Sequence, residues 1–270
     1  MADLALARDH AAGRLQLKLP QPMVGLLLPA GLAVIWEAVA RFGLVAPNLL
    51  PAPSAVGVSL YRLALTGELW THLAATCGRM ALGFALGTGV GTLLGAVGGG
   101  SAMARRVLDP TIQGLRSVPS IAWVPLFILW LGIFEASKVA LIALGVFFPV
   151  YLNLMLGMAQ VDRKLIEVGK IHRLGRIALI WRILLPASLP SYVAGLRGGL
   201  GLGWMFVIAA ELMGASEGLG FLLVDGQQTG RPALVIGALL LFALLGKLSD
   251  LALARAGAAL VRWQDVAEAL

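Results

Sequence analysis

Long apolar runs, each close to the length of a membrane crossing, constrain this chain more than any other feature. A spanning helix needs about 20 mainly apolar residues, at 1.5 Å rise each, to traverse a hydrocarbon core of roughly 30 Å. Six runs meet that length, at about 23–41, 76–98, 108–132, 138–158, 187–212 and 232–256. In lipid every backbone polar group must find a partner within the protein, so runs of this length specify helices. The expected fold class is therefore all-α, a polytopic membrane protein with six transmembrane helices and both termini on one side. With 59% hydrophobic and 13% charged residues, the chain has too little polar surface for a water-soluble domain. The first run follows a charged leader, contains Glu37 and lacks a small-residue cleavage site, so it is read as a retained anchor.

Charge orients the helices. Lys and Arg accumulate in short cytoplasmic segments. One set of connections holds thirteen of them: Arg8, Arg14 and Lys18 in the leader; Arg105 and Arg106 after the second run; Arg163, Lys164, Lys170, Arg173, Arg176 and Arg182 in the fourth connection; Arg255 and Arg262 at the end. The opposite face holds four, Arg41, Arg62, Lys138 and Arg231. Both termini are thus expected in the cytoplasm of a cell bounded by this cytoplasmic (inner) membrane. The domain reading is a leader over 1–22, a membrane domain over 23–256 that includes a cytoplasmic loop at 159–186, and a tail over 257–270. In that loop Leu165, Val168, His172, Ile177, Ile180 and Leu184 recur at helical spacing, giving an amphipathic helix whose apolar side needs a partner.

Glycines repeat every four residues at Gly83, Gly87, Gly91, Gly95 and Gly99, and again at Gly195, Gly199 and Gly203. Such rows let helix backbones approach closely, either inside one subunit or at a seam or gate between subunits.

Several chemistries are excluded. A single cysteine, Cys77, supports neither a disulfide framework nor a thiolate metal cluster, and His10, His72 and His172 are too dispersed for a zinc protease helix. Gly246-Lys247-Leu248 lacks the hydroxyl residue of a nucleotide phosphate loop. The net charge of +7 is scattered among apolar segments without the dense basic stripe of a nucleic-acid binder. No metal site and no catalytic residue is expected.

Polar groups inside spans are costly and are candidates for a pathway or gate. Arg197 falls near the expected midplane, where its guanidinium could contact an anion or hold a salt bridge. Arg116 precedes Ser117-Val118-Pro119, where the proline should break the helix; Asn153 either lines a pathway or bonds a neighbouring helix. Glu211, near the outer end of its span, could pair with a cation or meet an external protein. Lys247 and Asp250, three apart, are expected to form a local ion pair.

In the charged loop, Glu167-Val168-Gly169, then Arg173, then Ile183-Leu184-Leu185-Pro186 resemble the EAA loop of binding-protein-dependent ABC importer permeases. That family has a Glu-Ala-Ala triplet, a glycine four residues after it and an Ile-x-Leu-Pro ending. Two positions depart: Gly169 replaces the second alanine and Arg173 the glycine, so Gly175 is expected to supply the tight turn. The resemblance runs from about Leu49 to Trp263 through Leu50-Pro51-Ala52-Pro53-Ser54, Gly67-Glu68-Leu69-Trp70, Leu115-Arg116-Ser117-Val118-Pro119, Leu129-Trp130-Leu131-Gly132-Ile133, Phe148-Pro149-Val150-Tyr151-Leu152-Asn153 and Ala243-Leu244-Leu245-Gly246-Lys247-Leu248. It is closest to the aliphatic sulfonate permeases, with taurine and nitrate permeases nearby.

The resemblance implies a type I ABC importer permease fold and a non-catalytic subunit. Its partners would be two cytoplasmic ATPases that bind ATP and Mg, a second permease copy, a periplasmic or extracellular substrate-binding protein, and membrane lipid. Nucleic acid is not among them, and no cofactor is expected in this chain. ATPase coupling would fall to Glu167, Val168, Gly169, Arg173, Gly175, Ile183, Leu185 and Pro186. An ion-coupled secondary transporter is the rival class, but no internal repeat supports it.

Overall fold

The computed structural model describes residues 21–119, 122–212 and 214–261. The basic leader with Arg8, Arg14 and Lys18, and the tail from Arg262 on, lie outside the described residues. The elements, all helical, are α1 (Gln21–Arg41), α2 (Pro53–Thr66), α3 (Glu68–Gly100), α4 (Ala102–Arg116), α5 (Trp123–Leu131), α6 (Glu135–Ala159), α7 (Arg163–Ile171), α8 (Arg176–Leu179), a π-turn (Ile180–Leu184), α9 (Leu185–Leu212), α10 (Leu219–Gln228) and α11 (Pro232–Leu260). Among the described residues four helices are long and apolar enough to cross a membrane: Glu68–Gly100, Glu135–Ala159, Ile177–Leu212 and Pro232–Leu260. The first predicted run corresponds to α1.

The chain forms two compact units, Met1–Ala55 and Val56–Leu270. Within the first, Glu37 accepts hydrogen bonds from Arg41 Nε at 2.6 Å and from the Ser54 hydroxyl at 2.8 Å and amide at 3.0 Å. The charge that looked out of place in an anchor therefore ties the end of α1 to the residues that open α2.

At the centre of the second unit α3, α6 and α9 pack side by side, and the glycine rows set their spacing. A Cβ at Gly83 would stand 2.5 Å from Ile142 Cγ2, at Gly91 3.0 Å from the Phe147 carbonyl, at Gly95 3.0 Å from the Tyr151 carbonyl, and at Gly99 2.7 Å from Met158 Cβ. At Gly87 it would collide with the Ala143 carbonyl oxygen. Contacts advance by four residues along both helices in the same direction, so α3 and α6 run parallel. The α9 row meets α6 in the opposite sense, Gly195 against Asn153 and Pro149, and Gly199 against Val146. Both rows therefore work inside one subunit. Lipid tails are as apolar as leucine, so dispersion and close backbone approach, not water exclusion, hold such helices together.

The predicted third span, 108–132, is not one helix. It divides into α4 and the nine-residue α5, which at about 13.5 Å is too short to cross alone. Pro119 is the cause, because it disfavours helical geometry at Val118 and cannot donate a backbone bond. The Ser117 hydroxyl, donating to the Gly114 carbonyl at 2.7 Å, helps close the end of α4. Pro110 and Pro125 are tolerated, the latter in the first turn of α5, where amides lack helical acceptors anyway. Parallel packing of α3 and α6 still requires the intervening chain to return across the membrane, so α4 and α5 together make a broken crossing.

The loop predicted over 159–186 contains helix, as its periodicity suggested. Residues from Ile177 already belong to a helix continuous with α9, interrupted only by the π-turn. There the Leu185 amide donates to the Ile180 carbonyl, five residues back. Pro186 explains the widening: it has no N–H, and its ring would clash with the preceding turn of an ordinary α-helix.

Candidate functional site

Two places in the second unit gather the candidate residues. One is the elbow formed by α7 and the base of α9. Asp162 caps α7, its carboxylate accepting the Lys164 amide at 2.9 Å. At the other end the Arg173 amide donates to the Lys170 carbonyl at 2.9 Å, and the Leu174 amide to the Gly169 carbonyl at 3.0 Å. This pair of bonds is a Schellman ending, which needs its turning residue in the left-handed region. That residue is Arg173, with φ of 54°.

The expected role of Gly175 is thereby corrected. The turn stays where the family has its glycine, and arginine adopts the conformation in its place. Gly175 has no positive φ, and a Cβ there would meet open space. Arg173→Gly should therefore stabilise the chain by about 1 kcal/mol, the cost of holding a non-glycine residue in this region. Gly175→Val should stay within about 0.5 kcal/mol of the parent. Thermal unfolding of the purified variants checks both; a larger loss from Gly175→Val than from Arg173→Gly would contradict the assignment.

Gly169, the other departure, has a packing reason. A Cβ there would stand 2.5 Å from Leu179 Cδ1 and 2.7 Å from Ile183 Cδ1. With that side clear, α7 sits directly on α8 and the π-turn, while Ile166 packs toward the cluster of Leu154, Met158 and Leu184. The rest of its surface carries exposed Leu165, Val168 and Ile171, the last 78% accessible, together with exposed Glu167. Ile183, Leu185 and Pro186 lie behind, in and just after the π-turn. The elbow thus joins an uncovered apolar patch to the root of a spanning helix through a braced turn.

The other place is an open-sided cavity of about 340 Å³ between α4, α5, α6 and α9. It brings together Arg116 and Asn153, with Trp123, Phe148, Leu202 and Phe206 among its walls. Its lining takes in Arg116 and Val118 at the end of α4 and Trp123 at the start of α5, to either side of the break at Pro119. Gly145 lets the Phe206 ring lie against the α6 backbone, where a Cβ would stand 2.7 Å from the ring. Asn153 donates one Nδ2 hydrogen to the Pro149 carbonyl at 2.9 Å, leaving its other N–H uncommitted by that bond. Among the described residues Arg116 makes one long contact, 3.5 Å, to Gln113 Oε1.

Arg197 and Glu211 do not join them. Arg197 reaches across to α11 and makes a bidentate pair with Asp250, at 2.8 and 2.9 Å. Its guanidinium fork is occupied by a carboxylate, the salt-bridge alternative of the two open for it. The expected Lys247–Asp250 pair is corrected in turn, because a planar fork meeting two oxygens is the stronger match for Asp250. The pair lies about 18 Å along α9 and stays partly accessible, 47% for Arg197 and 32% for Asp250.

Glu211 is 1% accessible and belongs to a closed network. Its carboxylate accepts from Arg79 Nη1 at 2.8 Å, the Thr76 hydroxyl at 2.8 Å and the Gly220 amide at 2.8 Å. Arg79 also grips Glu135 with two bonds, 2.6 and 2.8 Å, and the Glu217 carbonyl at 2.6 Å. His72 Nδ1 accepts the Gly218 amide at 3.0 Å, and Thr76 the Leu219 amide at 2.8 Å. This clasp holds the α9–α10 turn against α3 and α6. Glu211 is thus a structural residue and does not line the cavity. Arg79 was legible only as a charge within a span; Thr76, His72 and Glu135 carried no sequence signal of their own.

Residues 87–260 match the family model described as binding-protein-dependent transport system inner membrane component. The chain is 41% identical over 243 residues to the aliphatic sulfonates transport permease protein SsuC of Bacillus subtilis, covering 90% of this chain and 88% of that one. It is 34% identical over 239 residues to the taurine transport system permease protein TauC of Escherichia coli, covering 87% of each. Among solved structures, a chain from inward-facing MetNI methionine ABC transporter superposes with a TM-score of 0.58 at 22% identity, covering 73% of this chain and 96% of that one. The last likeness concerns the fold alone.

Proposed function

Since the chain belongs to the family of binding-protein-dependent transport system inner membrane components, we propose that it is the permease of an ATP-driven importer whose cargo is an aliphatic sulfonate. An external binding protein delivers the anion. Two cytoplasmic ATPases, which carry ATP and Mg, close on each other and move the permease through its elbow. The basic connections face the cytoplasm, and with them both termini.

The uncovered face of α7 carries this reading. Leu165, Val168 and Ile171 form an apolar stripe beside Glu167, the arrangement with which a short amphipathic helix seats in a groove of a partner. Because Gly169 seats α7 on the base of α9, force applied there reaches the spanning helix without an intervening flexible turn.

A second copy of the chain completes the pathway. The side of α9 with Ala194, Arg197, Gly201, Leu202 and Met205 is uncovered in the single chain. It includes an ion pair at a depth where hydrocarbon would be a costly neighbour. Protein or water supplied by a symmetric partner removes that cost.

Glu167→Lys tests the reading. Removing one member of a desolvated charged contact costs about 2–5 kcal/mol, and the new lysine adds repulsion. ATPase copurification should fall at least tenfold, roughly what 1.4 kcal/mol accounts for. ATP-driven sulfonate uptake in reconstituted vesicles should fall with it. Unchanged copurification and uptake would rule out α7 as the joint.

A further inference from the structure

We propose that the cavity between α4, α5, α6 and α9 is an intramembrane binding site that takes an unsubstituted alkanesulfonate in preference to an aminoalkanesulfonate. The inference rests on the importer reading for its cargo class and on the lining for its selectivity. A sulfonate has one negative charge spread over three oxygens, so it needs several N–H donors on one side. Among the described residues the Arg116 guanidinium has one hydrogen-bond contact, the long one to Gln113, and Asn153 adds the N–H left over from its bond to Pro149. Fork-shaped donors suit such an oxyanion better than a point charge.

The rest of the wall is apolar. Trp123, Phe148, Leu202 and Phe206 present aromatic and aliphatic surface that can cover a short alkyl chain. At about 340 Å³ the space falls within the usual range of small-molecule pockets. An ammonium at the far end of the ligand would have no carboxylate to meet, because the described lining residues include no Asp or Glu. Burying it there would leave an unpaired cation, a larger penalty than burying a methyl group could offset. Nitrate would satisfy the donors but leave the apolar wall unused. Arg197 cannot substitute for Arg116, since Asp250 holds its fork.

The test uses the intact permease–ATPase transporter in lipid nanodiscs without binding protein, with butanesulfonate and taurine titrated separately and binding read by saturation-transfer NMR. The parent should bind butanesulfonate more tightly than taurine, with transfer to the terminal methyl protons. Arg116→Gln should weaken butanesulfonate at least about tenfold, as expected for losing a charged hydrogen bond, with Arg116→Lys intermediate. Leu202→Glu places a carboxylate on the apolar wall and should move the preference toward taurine, a change that simple loss of structure would not produce. Equal binding of the two ligands by the parent, or parent-like butanesulfonate binding by Arg116→Gln, would overturn the site. The coupling reading is measured by ATPase copurification and this site by ligand binding, so a failure of the coupling reading leaves this result intact and a failure of the site leaves the coupling test intact.

Discussion

Glu211→Ala should be among the most damaging single substitutions in this protein, costing about 3 kcal/mol of stability, because it removes the buried one of the two carboxylates that hold buried Arg79 and leaves the exposed Glu135 to balance it. Arg79 is 6% accessible and would lose a charged partner at 2.8 Å, while the Thr76 hydroxyl and Gly220 amide would lose their acceptor. Such orphaned groups carry their full desolvation penalty. The damage should appear first at the α9–α10 turn, whose residues Glu217, Gly218, Leu219 and Gly220 are all held by the clasp. Thermal unfolding and protease access at that turn measure it. Arg79→Met combined with Glu211→Met should cost less than the two single changes added, because the surviving charge is what makes each single change expensive. A loss below about 1 kcal/mol for Glu211→Ala would be the size of an exposed ion pair and would show that the network is not closed.

Gly87→Val is the second large effect, and it has an internal control on the same helix. A Cβ at Gly87 collides with the Ala143 carbonyl oxygen and would stand 2.8 Å from Val146 Cβ, so α3 must move away from α6. Backbone cannot rotate aside as the end of a side chain can. The change should cost at least the upper end of the roughly 1–3 kcal/mol typical of overpacking, and it also loosens the dispersion contacts that replace water exclusion in lipid. At Gly89, two residues on, a Cβ meets nothing within 4 Å. Gly89→Val should therefore fold and assemble normally. Detergent size-exclusion profiles and melting points of the two variants decide the matter; equal behaviour would mean that the glycine row does not set the α3–α6 distance.

Both predictions use features the sequence displays unequally. The glycine row is plain in the sequence, because a period of four lies close to one helical turn and so marks a single helix face. Which helix that face meets is not written there. The same holds for Pro119: a break is expected at Ser117-Val118-Pro119, yet the run is long enough to read as one span. That the two short helices together make one broken crossing follows from the parallel packing of α3 and α6, which involves residues outside that run.

Charged pairs were the least legible. Arg197 and Asp250 are separated by 53 residues and Arg79 and Glu211 by 132, so no local pattern links them. Their pairing depends on helix rotation and depth, which are set by the glycine and side-chain packing of the whole bundle. At Arg173 the family pattern pointed to a turn in the right place, but a substitution for glycine suggested that the turn had moved. The hydrogen bonds to Lys170 and Gly169 keep it there, and arginine accepts the left-handed conformation.

From sequence alone came the membrane class, the helical runs, the amphipathic segment and the family motif around Glu167, because each is written in neighbouring residues at a fixed period or length. The tertiary structure alone decided that Arg116 and Asn153 share a cavity while Arg197 and Glu211 are bound by carboxylate and guanidinium partners. Those outcomes rest on distances between helices far apart in the chain, and a span's composition determines that it is a helix without determining which neighbour each of its faces meets.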